Sequence, residues 1–117
     1  MNEPSVSTNI LLVEDNPGDA RLAMEALKDS NVFNNVYHVH DGIEAMAFLR
    51  KEGKYADSPR PHLILLDLNL PRKDGREVLS DIKNDEKLKR IPVIATISSS
   101  GATQGISFLY GVLSVSV

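Results

Sequence analysis

The 117-residue sequence contains no cysteine, which excludes disulfides and thiolate-bound zinc. It has no basic cluster, and its formal net charge of −3 gives no support to nucleic-acid binding. No apolar run reaches membrane-spanning length, and the first residues lack the positive and then apolar order of a secretion signal. With 42% hydrophobic and 25% charged residues, we expect one cytoplasmic globular domain without nucleic-acid or membrane partners.

Charge is also missing from one end of the chain, since residues 91–117 contain no Asp, Glu, Lys or Arg. Residues 98–105 are predicted to form a loop and residues 106–110 a short helix. Apolar residues alternate with serine over residues 113–117, which predicts an edge strand packed on one face. We expect this uncharged segment to leave an apolar face of the domain uncovered.

Upstream of this segment, short apolar runs alternate with amphipathic segments. This alternation is typical of a parallel sheet covered by helices. The predicted strands are residues 10–13, 36–39, 62–66 and 91–97. The predicted helices are residues 16–30, with Asn16 as N-cap and Pro17 in the first turn, residues 43–53, opened by Asp41-Gly42 and ending at Gly53, and a third helix after Gly75.

Acidic residues follow two of the predicted strands. The run over residues 10–13 ends in Glu14 and Asp15, and the run over residues 62–66 ends in Asp67. In an open parallel sheet ligands bind at the carboxyl ends of the strands, so the three carboxylates converge if the two strands are neighbours. Two negative charges about 4 Å apart repel by roughly 4 kcal/mol near a protein surface, which favours a bound proton or cation. Oxygen donors without cysteine favour Mg²⁺ over zinc.

The positions of the three acids suggest different chemical roles for them. Asp67 stands alone at its strand end and is the better nucleophile for forming an acyl phosphate, whereas the adjacent Glu14 and Asp15 are better suited to holding metal. The structural alternative is that all three are helix caps or solvated strand ends.

Three histidines offer a second candidate metal site. His38 and His40 are two residues apart on a predicted strand, and His62 lies near the start of another. Acid or cysteine support is lacking, so we interpret them as solvated strand or loop positions.

Four segments resemble the receiver domains of two-component response regulators. They are VEDN at 13–16, DGIEA at 41–45, LLDLNLPRKDG at 65–75 and IPV at 91–93. The chain looks most similar to single-domain regulators that partner phytochrome-type histidine kinases. The resemblance implies an α/β, flavodoxin-like (βα)5 fold with a parallel sheet in the order 2-1-3-4-5. We expect residues 1–8 to form a disordered tail and residues 9–117 a receiver domain without its C-terminal helix.

The resemblance also implies a function and roles for individual residues. Asp67 corresponds to the phosphoacceptor, Asp15 to a direct Mg²⁺ ligand, Glu14 to the acid that binds the metal through water, and Asn69 to the residue that offers its backbone carbonyl. A receiver takes its phosphoryl group from the phosphohistidine of a sensor histidine kinase and catalyses only its own phosphorylation and dephosphorylation. The signal then passes by contact with a downstream protein, and homodimerisation is a further option.

The C-terminal part departs from the family pattern. Receivers place a Thr or Ser at the end of the fourth strand and a Lys at the end of the fifth. The usual spacing from Asp67 falls on Ile97, whereas Thr96, the candidate switch residue, stands one position earlier. Side chains alternate along a strand, so Thr96 would face away unless a residue has been lost upstream. No lysine follows Lys89. Truncation, natural degeneration and a shifted reading frame all explain this pattern.

Two further functions remain open. A pseudo-receiver would bind partners without being phosphorylated. A phosphohydrolase of the haloacid-dehalogenase type also uses a strand-end aspartate, but that class has a second acid two residues later, where this sequence has Asn69.

Overall fold

The computed structural model describes residues 7–29 and 34–96, together with the backbone of residues 113–115. Strands and helices follow one another as β1 (Thr8–Val13), α1 (Pro17–Lys28), β2 (Asn34–Val39), α2 (Gly42–Arg50), β3 (Leu63–Asp67), α3 (Gly75–Lys83), β4 (Val93–Thr96) and β5 (Leu113–Val115). One turn of 3-10 helix, Gly53–Tyr55, separates α2 from β3. Three predictions concern residues that the structure does not describe: residues 1–6 of the tail expected over residues 1–8, the loop over 98–105 and the helix over 106–110.

The five strands form one sheet in the order β2-β1-β3-β4-β5, which confirms the predicted order. The first four strands are parallel. The fifth runs antiparallel to β4, with Ile94 opposite Ser114, and so differs from the parallel fifth strand that we expected. A parallel neighbour requires a crossover, usually a helix, whereas an antiparallel neighbour requires only a reversal of the chain.

Short polar side chains start the helices, as the sequence predicts. The Asn16 side chain accepts a hydrogen bond of 3.0 Å from the Asp19 N–H at the start of α1, and Pro17 occupies the first turn. At the start of α2, the Asp41 Oδ1 atom accepts a bond of 2.8 Å from the Glu44 N–H. Each cap satisfies a backbone donor that has no partner within the helix.

Several element boundaries differ from the prediction by one to three residues, those of α2 and β1 among them. Helix α2 ends at Arg50 instead of Gly53, because Lys51 takes the left-handed conformation (φ 59°) and its N–H bonds the Phe48 carbonyl. A left-handed residue ends a helix by satisfying its last carbonyls, and Lys51 does so before the glycine is reached. Strand β1 begins at Thr8, which we expected in the tail.

The sheet has helices on both faces, which explains its uninterrupted apolar strands. Leu11 and Val13 of β1 belong to the main core together with residues of α2 and α3. Ile10 and Leu12, which alternate with them, are also buried and point to the opposite face. Among the helices of the described ranges, none combines the length and apolar character needed to cross a bilayer.

Candidate metal centre

The pairing of β1 with β3 brings the predicted acids together. Val13 is opposite Leu66 in the parallel register, so the next residues, Glu14 and Asp67, lie side by side and on the same face of the sheet. One oxygen of each carboxylate of Glu14, Asp15 and Asp67 lies within 4.8 Å of the others. The predicted convergence of three acids at one edge of the sheet is therefore present.

The two central carboxylates are buried, whereas Asp15 is exposed. Asp67 is 2% exposed and Glu14 is 9% exposed. Backbone donors orient both groups: the Asn69 N–H lies 2.9 Å from Asp67 Oδ1, and the Asn16 N–H lies 3.1 Å from Glu14 Oε2. A buried pair of like charges is unfavourable unless a proton or cation joins it.

The pKa of Glu14 reflects the unfavourable burial of two negative charges side by side. Burial raises the pKa of Glu14 from 4.5 to about 8, with a further contribution from the negative charge of Asp67, while the Asn16 N–H opposes the shift. In the metal-free protein the protonated form of Glu14 therefore persists to higher pH than it would in water. A cation at this position would replace that proton.

Asn69 lies in the β3–α3 loop, residues 68–74, which turns sharply after the strand. The Gly75 N–H donates to the Leu68 carbonyl over 3.2 Å and closes the loop. A Cβ atom at Gly75 would lie 2.4 Å from the Asp67 carbonyl oxygen, so no other residue fits without moving the backbone. This tight closure holds Asn69 directly beyond the Asp67 carboxylate.

Thr96 lies beside Asp67 across the β3–β4 pair. Asp67 and Thr96 are partners in the parallel register, and the Leu68 N–H donates to the Thr96 carbonyl over 2.9 Å. Partners in a parallel register share a face of the sheet, so the half-buried Thr96 lies on the same face as Asp67. Glu14, Asp67 and Thr96 thus form a row across three neighbouring strand ends.

The interpretation of His38 as a solvated position is wrong. Its side chain is half-buried, and Nε2 lies 2.8 Å from the backbone carbonyl oxygen of Glu14. The His40 ring packs against it with the ring centroids 4.4 Å apart. In the part of the chain that the structure describes, the acidic trio is the one cluster of three or more potential metal-binding side chains, and it includes no histidine.

A second contact that sequence reasoning missed joins the β3–α3 loop to α2. Arg72 Nε lies 3.4 Å from Asp41 Oδ2. The two residues are far apart in the chain, and no local pattern pairs them. The DGIEA segment at 41–45 predicts a helix start and resembles a receiver segment, but nothing in it pairs Asp41 with Arg72.

The fold and the acidic pocket agree with comparisons with known proteins. The family model of the response regulator receiver domain matches residues 10–109, so the chain belongs to the response regulator receiver family of two-component signalling. The predicted family is confirmed.

Individual relatives show which members of the family this chain is similar to. Response regulator Rcp1 from Synechocystis sp. is 55% identical over 98 residues, which cover 84% of this chain and 65% of Rcp1. The structure of the phosphorylated cyanobacterial phytochrome response regulator RcpA superposes with a TM-score of 0.77 at 58% identity, covering 82% of this chain and 69% of RcpA. The Mn(2+)-bound form of Rcp1 gives a TM-score of 0.76 at 54% identity, covering 80% and 68% of the two chains. The similarity to phytochrome response regulators agrees with the predicted subfamily.

Proposed function

We propose that the chain is a phosphorylation switch in which Asp67 accepts a phosphoryl group from the phosphohistidine of a sensor histidine kinase. The observation that carries this proposal is the acidic pocket, where the carboxylates of Glu14, Asp15 and Asp67 lie within 4.8 Å of one another at adjacent strand ends. Membership of the receiver family supports the same reaction.

The donor set suits a hard divalent cation, and Mg²⁺ is the ion that we propose. Asp15, Asp67 and the Asn69 carbonyl would bind it directly, and Glu14 would bind it through water. All of these donors are oxygens, which Mg²⁺ prefers, and a related protein, Rcp1, has been crystallised with Mn(2+). When bound, the ion neutralises charge that develops on the transferred phosphoryl group.

In the transfer step, a carboxylate oxygen of Asp67 attacks phosphorus and forms the P–O bond of an acyl phosphate. The P–N bond of the phosphohistidine breaks, and its electron pair returns to the imidazole. The Asn69 N–H bonds Oδ1 of Asp67 and fixes the plane of the attacking carboxylate. The protein thus contributes mainly position and electrostatic balance.

Thr96 is the residue that we propose as the sensor of the phosphoryl group. Its register position beside Asp67 supports this role, because a hydroxyl on the same face can donate a hydrogen bond to the phosphoryl oxygens. The altered surface would then bind or release a downstream protein. We propose a kinase of the phytochrome type as the partner, on the strength of the RcpA likeness, and a cytoplasmic location.

Incubation with acetyl phosphate, with and without Mg²⁺, tests the proposal. We expect the intact mass to increase by one phosphoryl group only when Mg²⁺ is present. Asp67→Asn should abolish the gain, and Asp85→Asn, an exchange of the same kind in the α3–β4 connection, should keep it. Rapid release of phosphate over many turnovers would instead indicate a phosphohydrolase, and an unchanged mass would indicate a pseudo-receiver.

A further inference from the structure

We propose that Asp41 is a positioning residue of the metal centre, which acts through Arg72 on the β3–α3 loop. This inference rests on the proposed function, because it concerns how tightly the same centre binds Mg²⁺. Asp41 lies at the start of α2 and is not one of the acids of the pocket.

The Asp41 carboxylate joins two separate parts of the structure. Oδ1 caps α2 by accepting the Glu44 N–H over 2.8 Å, and Oδ2 lies 3.4 Å from Arg72 Nε. The Asp41 side chain is 11% exposed, whereas that of Arg72 is 60% exposed. The helix start therefore provides a fixed acceptor, and the flexible arginine side chain is held against it.

Arg72 has an unusual backbone conformation. Its φ of 65° lies in the left-handed region, which a non-glycine residue with a long side chain adopts rarely. Such a conformation persists where surrounding contacts hold it. The pair with Asp41 is one such contact, and the neighbouring residue is fixed as well, since a Cβ atom at Gly42 would lie 2.3 Å from the Lys73 carbonyl oxygen.

The loop held in this way follows Asp67 directly and carries Asn69, the proposed carbonyl ligand. One end is closed by the Gly75 N–H on the Leu68 carbonyl, and the middle is held by the pair of Arg72 with Asp41. Mg²⁺ requires near-ideal octahedral geometry with short bonds to oxygen, so a small shift of one ligand lowers its affinity. Releasing Arg72 is expected to permit such a shift.

Two single substitutions separate positioning from simple electrostatics. Asp41→Asn removes a negative charge but retains a good helix cap, and Arg72→Gln removes a positive charge at the same pair. If only long-range charge mattered, the first would weaken and the second would strengthen Mg²⁺ binding. If Asp41 positions the loop, both weaken it, by about tenfold, the lower range for residues that orient a metal ligand.

The experiment is Mg²⁺ titration by calorimetry of wild type, both single variants and the Asp41→Asn/Arg72→Gln double variant. The double variant should bind no more weakly than either single variant, because the same contact is lost in all three. Opposite shifts in the two single variants, or affinities equal to wild type, would overturn the inference. Asp85→Asn is the matched control: Asp85 also accepts backbone N–H bonds, from Lys87 and Leu88, and should leave Mg²⁺ binding unchanged.

Failure of the inference is distinguishable from failure of the proposed function. If the wild-type chain binds Mg²⁺ and is phosphorylated, and the variants bind Mg²⁺ with the same affinity, only the inference about Asp41 is refuted. A wild-type chain that binds no Mg²⁺ refutes both. Urea unfolding of each variant shows whether fold stability has changed, and a loss of affinity in a variant of wild-type stability supports positioning.

Discussion

Replacing Glu14 by glutamine is expected to stabilise the metal-free protein at high pH. The Glu14 and Asp67 carboxylates contribute oxygens within 4.8 Å of each other. Two unit charges 4.8 Å apart at an effective dielectric of 20 repel by about 3.5 kcal/mol, and closer charges repel more strongly. Glutamine has the same shape without the charge, so the variant avoids this repulsion and the cost of burying a second charge.

The effect should depend on pH in a defined direction. The raised pKa of Glu14, about 8 against 4.5, means that the folded protein keeps a proton that the unfolded chain has already released between these values. Stability that depends on Glu14 is therefore complete below pH 4.5 and is lost as pH rises toward 8. Glutamine does not titrate, so the advantage of Glu14→Gln should be close to zero at pH 4.5 and grow to a few kcal/mol, about the repulsion energy, by pH 8 to 9.

The assay is urea unfolding followed by far-UV circular dichroism, in EDTA, at several pH values from 5 to 9. Glu52→Gln is the matched control, because Glu52 is exposed and its side chain makes no helix-capping hydrogen bond. Adding Mg²⁺ at pH 8 should stabilise wild type by about 2.7 kcal/mol when the free ion is at a hundred times its dissociation constant, and Glu14→Gln by less. The same pH slope in Glu14→Gln and wild type would refute the electrostatic reasoning.

Three further predictions follow from the pocket and its loop. Mg²⁺ binding should release protons near pH 7, because Glu14 gives up its proton, and calorimetry in two buffers of different ionisation enthalpy measures the number released. Gly75→Ala should lower the free energy of unfolding, measured with urea, by about 3 kcal/mol or more, because its Cβ would lie 2.4 Å from the Asp67 carbonyl oxygen. Gly53→Ala is the comparison: Gly53 has a φ of 57° but open space around it, so this variant should lose only about 1 kcal/mol. Thr96→Val should change stability by about 1 kcal/mol at most, the net contribution of a typical hydrogen bond, and should still allow Asp67 to be phosphorylated with acetyl phosphate. Phosphorylation should alter the chemical shifts of neighbouring amides less than in wild type; equal shifts would count against the role of Thr96.

Local chemistry made much of the fold predictable. The starts of α1 and α2 were predicted because Asn16 and Asp41 bond backbone donors only three residues away. The meeting of the acids was predicted because neighbouring parallel strands end at the same edge of a sheet. These features depend on short sequence distances or on a general rule of sheet geometry.

Contacts between distant parts of the chain were not predictable in the same way. The bond of His38 to the Glu14 carbonyl and the pair of Asp41 with Arg72 arise only after the strands have paired and the loop has folded onto α2. The position of Thr96 was uncertain because counting along the chain assumes a loop of family length. The structure pairs Val93 with Ile64, and this register places Thr96 opposite Asp67.

The row of Glu14, Asp67 and Thr96 has a consequence for folding. Its members come from three strands that are separated in sequence by whole helices, so the pocket exists only after β1, β3 and β4 have paired in the native register. A slip of one residue in either pair would turn a carboxylate or the hydroxyl to the opposite face. If the pocket binds Mg²⁺ as proposed, ion binding would serve as a probe of correct strand pairing, and the ion would shift the folding equilibrium toward the register that completes the pocket.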